Sequence, residues 1–241
     1  MNSANFDEAR RRLVFPLDYP TLEEARPGAE SVAEHVGVLK IGLELFVKEG
    51  PRALELGRQL GCEVFLDLKL HDIPATVERA VASAISLGVR YLTLHASGGP
   101  KMLELAADRV ERERAQLALL AVTVLTSLDE SDLVATGVSS PPNEQALRLA
   151  VLAQRSGIRG LVSSVAEVSM LRQNLGPEMI LVTPGIRPAG AGSQDQKRVG
   201  TPAQAMAAGS SLLVVGRPIR DAADPRAAAE AIRREIAEAL V

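Results

Sequence analysis

Eight short apolar runs alternate along this chain with stretches that have helical spacing. The runs are rich in β-branched residues and occupy residues 12–18, 36–42, 62–70, 90–96, 117–127, 159–164, 179–186 and 211–218. Near-continuous apolar strands that alternate with helices predict a parallel sheet with helices packed against it. This alternation limits the possible folds more than any other feature of the sequence.

The number of strand–helix units separates two parallel folds. Eight units in 241 residues predict a single domain, a (β/α)8 TIM barrel of the α/β class over residues 1–241. The alternative is a doubly wound open sheet, but no G-x-G-x-x-G pattern follows the first strand to support it. The longest irregular stretch, residues 187–202, is polar and glycine-rich and is expected to be mobile.

Two helical stretches carry local signals of where they begin and end. Thr21 and Glu24 have the spacing of a helix capping box, and Pro27 is expected to break or restart the helix that follows. The stretch ELFVKEGPRALELGRQLG reads as helix up to Gly61, a residue that suits a helix C-terminus.

Composition argues against several classes of partner. The net charge is −3, aromatic residues make up 2% of the chain and tryptophan is absent, so nucleic acid is not an expected partner. Cys62 is the only cysteine, which excludes an internal disulfide and suits a reducing compartment. The N-terminal stretch lacks the apolar region of a signal peptide, and no run of about 18 apolar residues suggests a membrane span. We therefore expect a cytoplasmic protein.

Polar side chains stand at the ends of the predicted strands. In chain order they are Asp18, Lys40, Asp67, Lys69, His95, Thr126, Ser127, Arg187 and Arg217. In a TIM barrel the carboxyl ends of the strands form the active site, so we expect these residues to converge on one mouth. Taken singly, Asp18 also suits a helix cap, and Lys40 a lysine that extends to solvent.

The stretch VFLDLKLHDIP at residues 64–74 places charges inside an apolar strand. Because strand side chains alternate, Asp67 and Lys69 are expected on one face and the leucines around them on the other. A structural ion pair is one interpretation, but desolvating each ion costs several kcal/mol before their attraction offsets it. A functional pair is therefore favoured, and Asp72 follows just past the end of the strand.

The last two predicted strands are each followed by a glycine close to an arginine. Gly185 and Arg187 lie in TPGIRP, and Gly216 and Arg217 lie in VGRP. Glycine lets backbone N–H groups approach an anion, and arginine can bind two of its oxygens at once. Loops after strands seven and eight are the usual phosphate site of this barrel, so a phosphate ligand is predicted. The histidines and the cysteine form no metal-binding pattern, although carboxylates could still hold Mg²⁺.

Six segments taken together resemble one enzyme family. They are FPLDYP, KIGLELF, FLDLKLHDIPATV, VTVLTS, LVTPGIRP and DQKRVGTPAQAMAAGSSLLVVGRPI, and they run from Leu13 to the last helix in that family's order. The chain resembles orotidine 5′-phosphate decarboxylase of the bacterial type. The D-x-K-x-x-D pattern with HDIP, and TPGIR followed by DQ, are the most specific of these motifs.

The resemblance implies a reaction that uses neither a metal nor an organic cofactor. The family removes CO₂ from orotidine 5′-monophosphate to give UMP, the last step of de novo pyrimidine nucleotide synthesis. The reaction leaves a carbanion at C6 of the pyrimidine without a conjugated electron sink. A fixed positive charge in a dry site can stabilise that carbanion instead.

The resemblance also implies which residues are catalytic. Lys69 would supply the charge and protonate C6, while Asp67 and Lys40 would hold Lys69 in place and charged. Asp72 would act from the other subunit of a homodimer with shared active sites. It would act either by repelling the substrate carboxylate or by fixing Lys69, and this choice stays open.

The same resemblance implies a set of substrate-binding residues. They are Asp18, Lys40, Asp67, Ile73, Thr76, Thr126, Ser127, Pro184, Arg187, Gln196, Gly216 and Arg217. Asp18 and Lys40 would bind the ribose hydroxyls, and Thr126 and Ser127 would meet the pyrimidine edge. Ile73 and Thr76 would accompany Asp72.

The phosphate is expected at the end of the chain. Arg187, Gln196, Gly216 and Arg217 would hold it, and the 187–202 segment would close over it as a lid. The phosphate is far from the bond that breaks, so its binding energy would serve to close the lid and order the site.

Two alternatives remain at this stage. A Mg²⁺-dependent sugar-phosphate enzyme of the same superfamily, such as a hexulose-phosphate synthase or a ketogulonate-phosphate decarboxylase, shares the D-x-K-x-x-D stretch. HDIPAT and Gln196 favour the nucleotide enzyme over it. A non-catalytic barrel that binds nucleotide phosphates would keep Arg187 and Arg217, but it has no need for Asp67, Lys69 and Asp72.

Overall fold

The strands close into a parallel barrel. A computed structural model of the chain describes residues 3–188 and 199–240. Within these ranges eight parallel strands pair in chain order, and the first also pairs with the eighth. The predicted (β/α)8 barrel is confirmed, and the open-sheet alternative is wrong. Gln196 and the central part of the proposed lid, residues 189–198, lie outside the described residues.

Every apolar run identified in the sequence contains one strand, and each strand is shorter than its run. The strands are β1 (Leu13–Pro16), β2 (Val38–Gly42), β3 (Glu63–Leu70), β4 (Tyr91–His95), β5 (Ala118–Val122), β6 (Gly160–Val162), β7 (Ile180–Thr183) and β8 (Leu212–Val214). The residues after each strand therefore belong to loops at the barrel mouth. The sequence suggested that Thr126 and Ser127 end β5, but both residues lie in such a loop.

Helices cover the outside of the barrel and fill the connections between strands. They are α1 (Ser3–Arg12), α2 (Leu22–Val32), α3 (Leu43–Glu49), α4 (Arg52–Gln59), α5 (Pro74–Ser86), α6 (Pro100–Arg112), α7 (Glu130–Ala135), α8 (Pro142–Arg155), α9 (Val165–Leu175), α10 (Pro202–Ala208), α11 (Arg217–Arg220) and α12 (Pro225–Glu238). None of the described helices combines the length and the apolar content that crossing a membrane requires.

Two helix predictions differ from the structure for local reasons. The Thr21 cap is confirmed, because its hydroxyl accepts from the Glu24 N–H at 3.2 Å. Pro27, however, lies inside α2 without ending it. It is exposed, so the carbonyl that loses its helical partner can bond to water. The stretch up to Gly61 splits into α3 and α4 at Gly50, where a φ of 60° stops the first helix.

Apolar side chains fill two layers, one inside the barrel and one between the barrel and its helices. The inner layer consists of Val14, Val38, Phe65, Tyr91, Leu120, Val182 and Leu212. The outer layer is larger and contains the buried faces of the helices. Because the inner layer fills the barrel, the polar residues on the same strands are left at the mouth.

One strand pair departs from a regular ladder. Between β3 and β4 the register runs from the pair Leu66–Leu92 to the pair Leu70–Leu94. Three residues of β3 therefore stand opposite the single residue Thr93 of β4, which makes a bulge. Lys69 lies in this bulge with a φ of 50°, in the left-handed region.

Candidate active site

A pocket opens at the carboxyl ends of the strands. Its volume is about 450 Å³. The predicted site residues that line it are Asp18, Lys40, Asp67, Lys69, Thr126, Pro184, Arg187, Gly216 and Arg217. The structure thus brings together residues from β2 and β3, from the loops that follow β1, β5 and β7, and from the start of α11 after β8.

Five other predicted residues within the described ranges do not line this pocket, and one of them is His95 at the end of β4. Asp72 and Ile73 are exposed, and the Asp72 carboxylate accepts from the Ile73 N–H at 2.6 Å. Thr76 lies in the first turn of α5, which begins at Pro74. Ser127 is exposed beside Thr126. The segment that carries Asp72 therefore lies outside the pocket of its own chain.

Alternating charges line one side of the pocket. Lys40 Nζ lies 3.3 Å from Asp18 Oδ1 and 3.5 Å from Asp67 Oδ2. Lys69 Nζ donates to Asp67 Oδ1 at 2.8 Å. The order along the row is Asp18, Lys40, Asp67 and Lys69, so each inner charge has an opposite charge on both sides. This arrangement lowers the cost of bringing charges close to an apolar core.

Asp67 stands at the centre of the row and is buried. Burial raises the pKa of its carboxyl group, but the ammonium groups of Lys40 and Lys69 lower it. Hydrogen bonds from Lys69 and Thr93 lower it further, and the net result is a pKa below its ordinary value of 3.8. Asp67 is therefore ionised at neutral pH, and Lys69 is held next to a full negative charge.

Lys69 reaches this position through an irregular backbone. A regular strand would place Asp67 and Lys69 on one face by simple alternation, as the sequence suggested. The two side chains do meet, but both residues lie in the bulge, and Lys69 has a left-handed φ. Alternation therefore predicted the contact correctly, but it did not predict the bulge or the left-handed φ of Lys69.

A pair of histidines lies close to Lys69. The rings of His71 and His95 are 5.4 Å apart between centroids. Burial lowers the pKa of His95, and the nearby His71 and Lys69 lower it further. His95 is therefore neutral at pH 7 and adds no second positive charge beside Lys69.

The other end of the pocket carries the arginines. Arg187 is buried, and its backbone N–H donates to the Gly200 carbonyl at 2.9 Å. Gly200 in turn donates to the Gly185 carbonyl at 3.3 Å. The two described ends of the 187–202 segment are thus held together beside the pocket. At Gly216 an added Cβ would lie 3.0 Å from Pro16 Cγ, so a side chain would crowd this end of the pocket.

Several lining residues were not identified from the sequence. One wall is apolar and consists of Phe65, Val122, Val124, Leu125, Val162, Val182 and Val214. Ser163 lines the pocket after β6, and its buried hydroxyl has no hydrogen-bond partner in the described residues. Arg220 lies at the mouth and donates to the Asp18 carbonyl at 3.1 Å. Only Arg220 had a sequence signal, as a second arginine close after VGRP.

Comparison with known proteins agrees with the motifs. A sequence profile described as the orotidine 5′-phosphate decarboxylase / HUMPS family matches residues 11–232. The chain belongs to this family. Within it, a protein of Anaeromyxobacter sp. (strain K) named orotidine 5′-phosphate decarboxylase is 52% identical over 92% of this chain and 96% of its own length. A protein of the same name from Chromohalobacter salexigens is 50% identical over 94% of this chain and 96% of its own length.

A solved structure of the decarboxylase family gives the same fold. The crystal structure of orotidine 5′-phosphate decarboxylase from Lactobacillus acidophilus has a TM-score of 0.82 and 38% identity to this chain. The match covers 94% of this chain and 99% of that protein. The likeness therefore extends over the whole barrel and not only over the motifs.

The described residues contain no group of three or more histidine, cysteine, aspartate or glutamate side chains placed to hold a metal ion. The charged groups in the pocket instead alternate in sign. Such a row can hold an ammonium group in a fixed place next to a substrate.

Acid is expected to remove the stabilisation that ionised Asp67 supplies. Its folded-state pKa lies below 3.8, so this contribution is fully present above the unfolded-state pKa. It is lost as the pH falls through the folded-state pKa. We expect Asp67→Asn to lower the free energy of unfolding by about 1–3 kcal/mol at pH 7. The gap to wild type should narrow below about pH 4.

Denaturant unfolding at a series of pH values measures this gap. Asp108→Asn is the matched control, because Asp108 is an exposed carboxylate on α6. Its gap to wild type should stay small throughout. A gap for Asp67→Asn that stays constant down to about pH 3 would contradict an ionised, stabilising Asp67.

Proposed function

We propose that this chain decarboxylates orotidine 5′-monophosphate to UMP and CO₂, the last step of de novo pyrimidine nucleotide synthesis. The observation that carries the proposal is the row of alternating charges that fixes Lys69 beside the apolar wall of the pocket. Relatives about half identical to the chain over nearly its full length bear the name of this enzyme.

The chemistry at this end of the pocket requires a stable positive charge. Loss of CO₂ leaves an electron pair at C6 that the pyrimidine ring cannot delocalise. Lys69 Nζ would stabilise this pair and then deliver a proton to C6, which forms the new C–H bond. Asp67 holds the ammonium group by a hydrogen bond of 2.8 Å. We infer that no metal or organic cofactor takes part, because Lys69 supplies the charge.

The rest of the nucleotide would extend across the mouth of the barrel. Asp18 and Lys40, already paired at 3.3 Å, would bind the ribose hydroxyls. Thr126 and Ser127 would meet the pyrimidine edge after a small loop adjustment, since only Thr126 lines the pocket. The Asp18–Lys40 pair would thus bind the ribose, and the Thr126–Ser127 pair would bind the base.

The phosphate would bind at the opposite end of the pocket. Arg187 and Arg217 supply positive charge there, and Gly216 and Pro184 line the same pocket, which a side chain at Gly216 would crowd. Gln196 would reach the phosphate when the 187–202 segment closes. The backbone contacts between Arg187 and Gly200 would act as the base of this lid.

We also propose a homodimer with shared active sites. Asp72 and Ile73 are exposed outside the pocket of their own chain, and Ile73 has 66% of its surface exposed. Val47, in the helix after the neighbouring strand β2, is 81% exposed. A second copy packed on this surface would bury both apolar side chains. Asp72, Ile73 and Thr76 of each chain would then lie at the pocket of the other chain. The lone Cys62 and the reaction itself suit the cytoplasm.

The first test is an assay of the purified protein. We expect loss of the orotidine 5′-monophosphate absorbance and formation of UMP, undiminished in excess EDTA. Lys69→Ala should lower kcat by at least about 1000-fold, because the charge acts mainly in the transition state. Lys101→Ala, at an exposed lysine on α6, is the matched control and should behave as wild type.

Three results of this assay would count against the proposal. Activity lost in EDTA would favour a Mg²⁺-dependent enzyme of the superfamily. Binding of UMP without turnover would favour a barrel that only binds nucleotides. A Lys69→Ala variant that keeps about a tenth of the wild-type kcat would remove Lys69 from its role as proton donor.

The shared site can be tested with mixed dimers. Lys69→Ala and Asp72→Ala should each be nearly inactive. In a mixed dimer one site would carry both lesions and the other neither, so about half of the wild-type activity should return per mixed dimer. Subunit exchange is verified with differently tagged chains.

A second mixture controls for recovery by other routes. Lys69 and Arg217 line the same pocket of one chain, so Lys69→Ala mixed with Arg217→Ala leaves one lesion in every site. This mixture should show no activity beyond that of the two variants assayed separately. Equal behaviour of the two mixtures, with exchange verified, would place Asp72 in its own chain's site.

The phosphate assignment is tested at Arg217. Arg217→Ala should weaken binding of the nucleotide and of UMP by about 2–5 kcal/mol, the cost of losing a desolvated charge-assisted contact. The same change should hardly affect turnover of the nucleoside, which has no phosphate. Arg226→Ala is the control, because Arg226 is exposed on α12 and pairs with Glu34. Equal losses of kcat/KM for nucleotide and nucleoside would contradict the assignment.

A further inference from the structure

We infer that Thr93 is a positioning residue for this reaction, whose single hydroxyl fixes both the Asp67 carboxylate and the backbone of Lys69. The inference rests on the proposed function and assigns one more residue to its site. Thr93 lies in the middle of β4 and is 1% exposed. It does not line the pocket, so it would act through its two neighbours and not through the substrate.

The bulge in β3 creates the need for such a residue. Asp67, Leu68 and Lys69 together stand opposite Thr93, between two regular pairs of the ladder. Extra residues in a strand leave backbone groups without their usual partner on the next strand. The Lys69 N–H is such a group, and it donates to Thr93 Oγ1 at 2.9 Å. The hydroxyl thus replaces the missing backbone acceptor.

The second contact of the hydroxyl follows from its single hydrogen. Because Thr93 Oγ1 accepts from the Lys69 N–H, its own hydrogen is left to donate, and Asp67 Oδ1 lies 2.8 Å away. A carboxylate can only accept, so the direction of both bonds is determined as long as Asp67 is ionised. Thr93 is 1% exposed, so bulk water does not compete for these two bonds.

These contacts hold Lys69 at both ends. Its backbone is bound to Thr93, and its ammonium group is bound to the same Asp67 oxygen that Thr93 holds. The left-handed φ of 50° at Lys69 is unfavourable for a residue with a side chain and persists only where the surroundings impose it. Without the hydroxyl, both the bulge and the carboxylate would be free to shift, and the ammonium group would move with them.

The charged groups around Asp67 set the expected pH effect. Lys40 faces it from β2, Lys69 from β3, and His95 from the end of β4. Asp18 lies beyond Lys40. The hydroxyl of Thr93 is the only neutral donor that these contacts provide, and a donor to a carboxylate favours its charged form. Its loss should therefore raise the pKa of Asp67 and move the acid limb of the kcat profile to higher pH.

The experiment compares three substitutions with wild type. Thr93→Val removes the hydroxyl and keeps the shape, and Thr93→Ser keeps the hydroxyl. Thr183→Val is the matched control. Thr183 is also a buried strand residue, and its hydroxyl bonds to Ser210 at 2.7 Å. Unlike the site residues, it does not line the pocket, and the residue that its hydroxyl bonds to is uncharged. Measurements are kcat and KM for the nucleotide across pH, and the Kd of UMP.

We expect Thr93→Val to lower kcat by about 10- to 100-fold, the effect of a small misplacement of a reacting group. KM and the Kd of UMP should change little, and the acid limb should move to higher pH. Thr93→Ser should recover most of the lost kcat, and Thr183→Val should leave kcat and its pH profile unchanged. Thr93→Cys, which has a similar size and a weak hydrogen-bonding group, replaces Thr93→Val if that variant does not fold.

The inference is overturned if the hydroxyl-free variant keeps the wild-type kcat and pH profile. It is equally overturned if Thr93→Ser lowers kcat as much as the hydroxyl-free variant does. It is also overturned if Thr183→Val has the same effect on kcat, since the cause would then be general loosening of the barrel. These results would leave the proposed function intact, because they presuppose an active wild type.

An inactive wild type would refute the proposed function, and a double-mutant cycle on stability then decides the structural part of the inference. The unfolding free-energy changes of Thr93→Val and Asp67→Asn should be non-additive, because the two side chains share one hydrogen bond. Additive changes would mean that Thr93 does not hold Asp67, and the inference would fail.

Discussion

The site depends on the ionised Asp67 carboxylate held between two ammonium groups at the barrel mouth. It contacts Lys69 of the same strand at 2.8 Å and Lys40 of the neighbouring strand β2 at 3.5 Å. A buried charge without partners would cost several kcal/mol, so these groups are stable there only as a set. Direct pairing of β3 with β2 and with β4 fixes the distances between these strands and thereby makes the set possible. The row of charges therefore could not be stable without the strand arrangement of this fold.

The same region departs from regular structure, which is expected where function competes with an ideal backbone. A non-glycine residue in the left-handed region costs of the order of 1–3 kcal/mol, and Lys69 has a φ of 50° within the β3 bulge. A hydrogen bond offsets part of this strain, because Thr93 accepts from the Lys69 backbone N–H that the bulge leaves without a partner in the ladder. The strained residue is the one whose ammonium group the proposed reaction requires.

Periodicity alone predicted the strands, their number and the meeting of charges at one mouth, because each follows from alternation along the chain and closure of the sheet. It could not predict the bulge, which depends on how β3 and β4 align across the barrel. Thr93 was missed for the same reason, since one threonine in the run YLTLH looks like an ordinary strand residue. Pro27 was misjudged because its effect depends on whether the freed carbonyl reaches water, and this is set by packing.

The exposure of the row indicates what closure would add. In the single chain, 31% of the Lys69 side chain and 51% of the Asp18 side chain are accessible to solvent. Water at these groups weakens the field that Lys69 can apply to a developing carbanion, because the interaction grows as the local dielectric falls. The proposed partner segment around Asp72 and the 187–202 lid would both remove water from this mouth. Since β3 and β7 stand four positions apart in the closed barrel, phosphate binding would strengthen the interaction of Lys69 with C6 indirectly, by closing the site and excluding water.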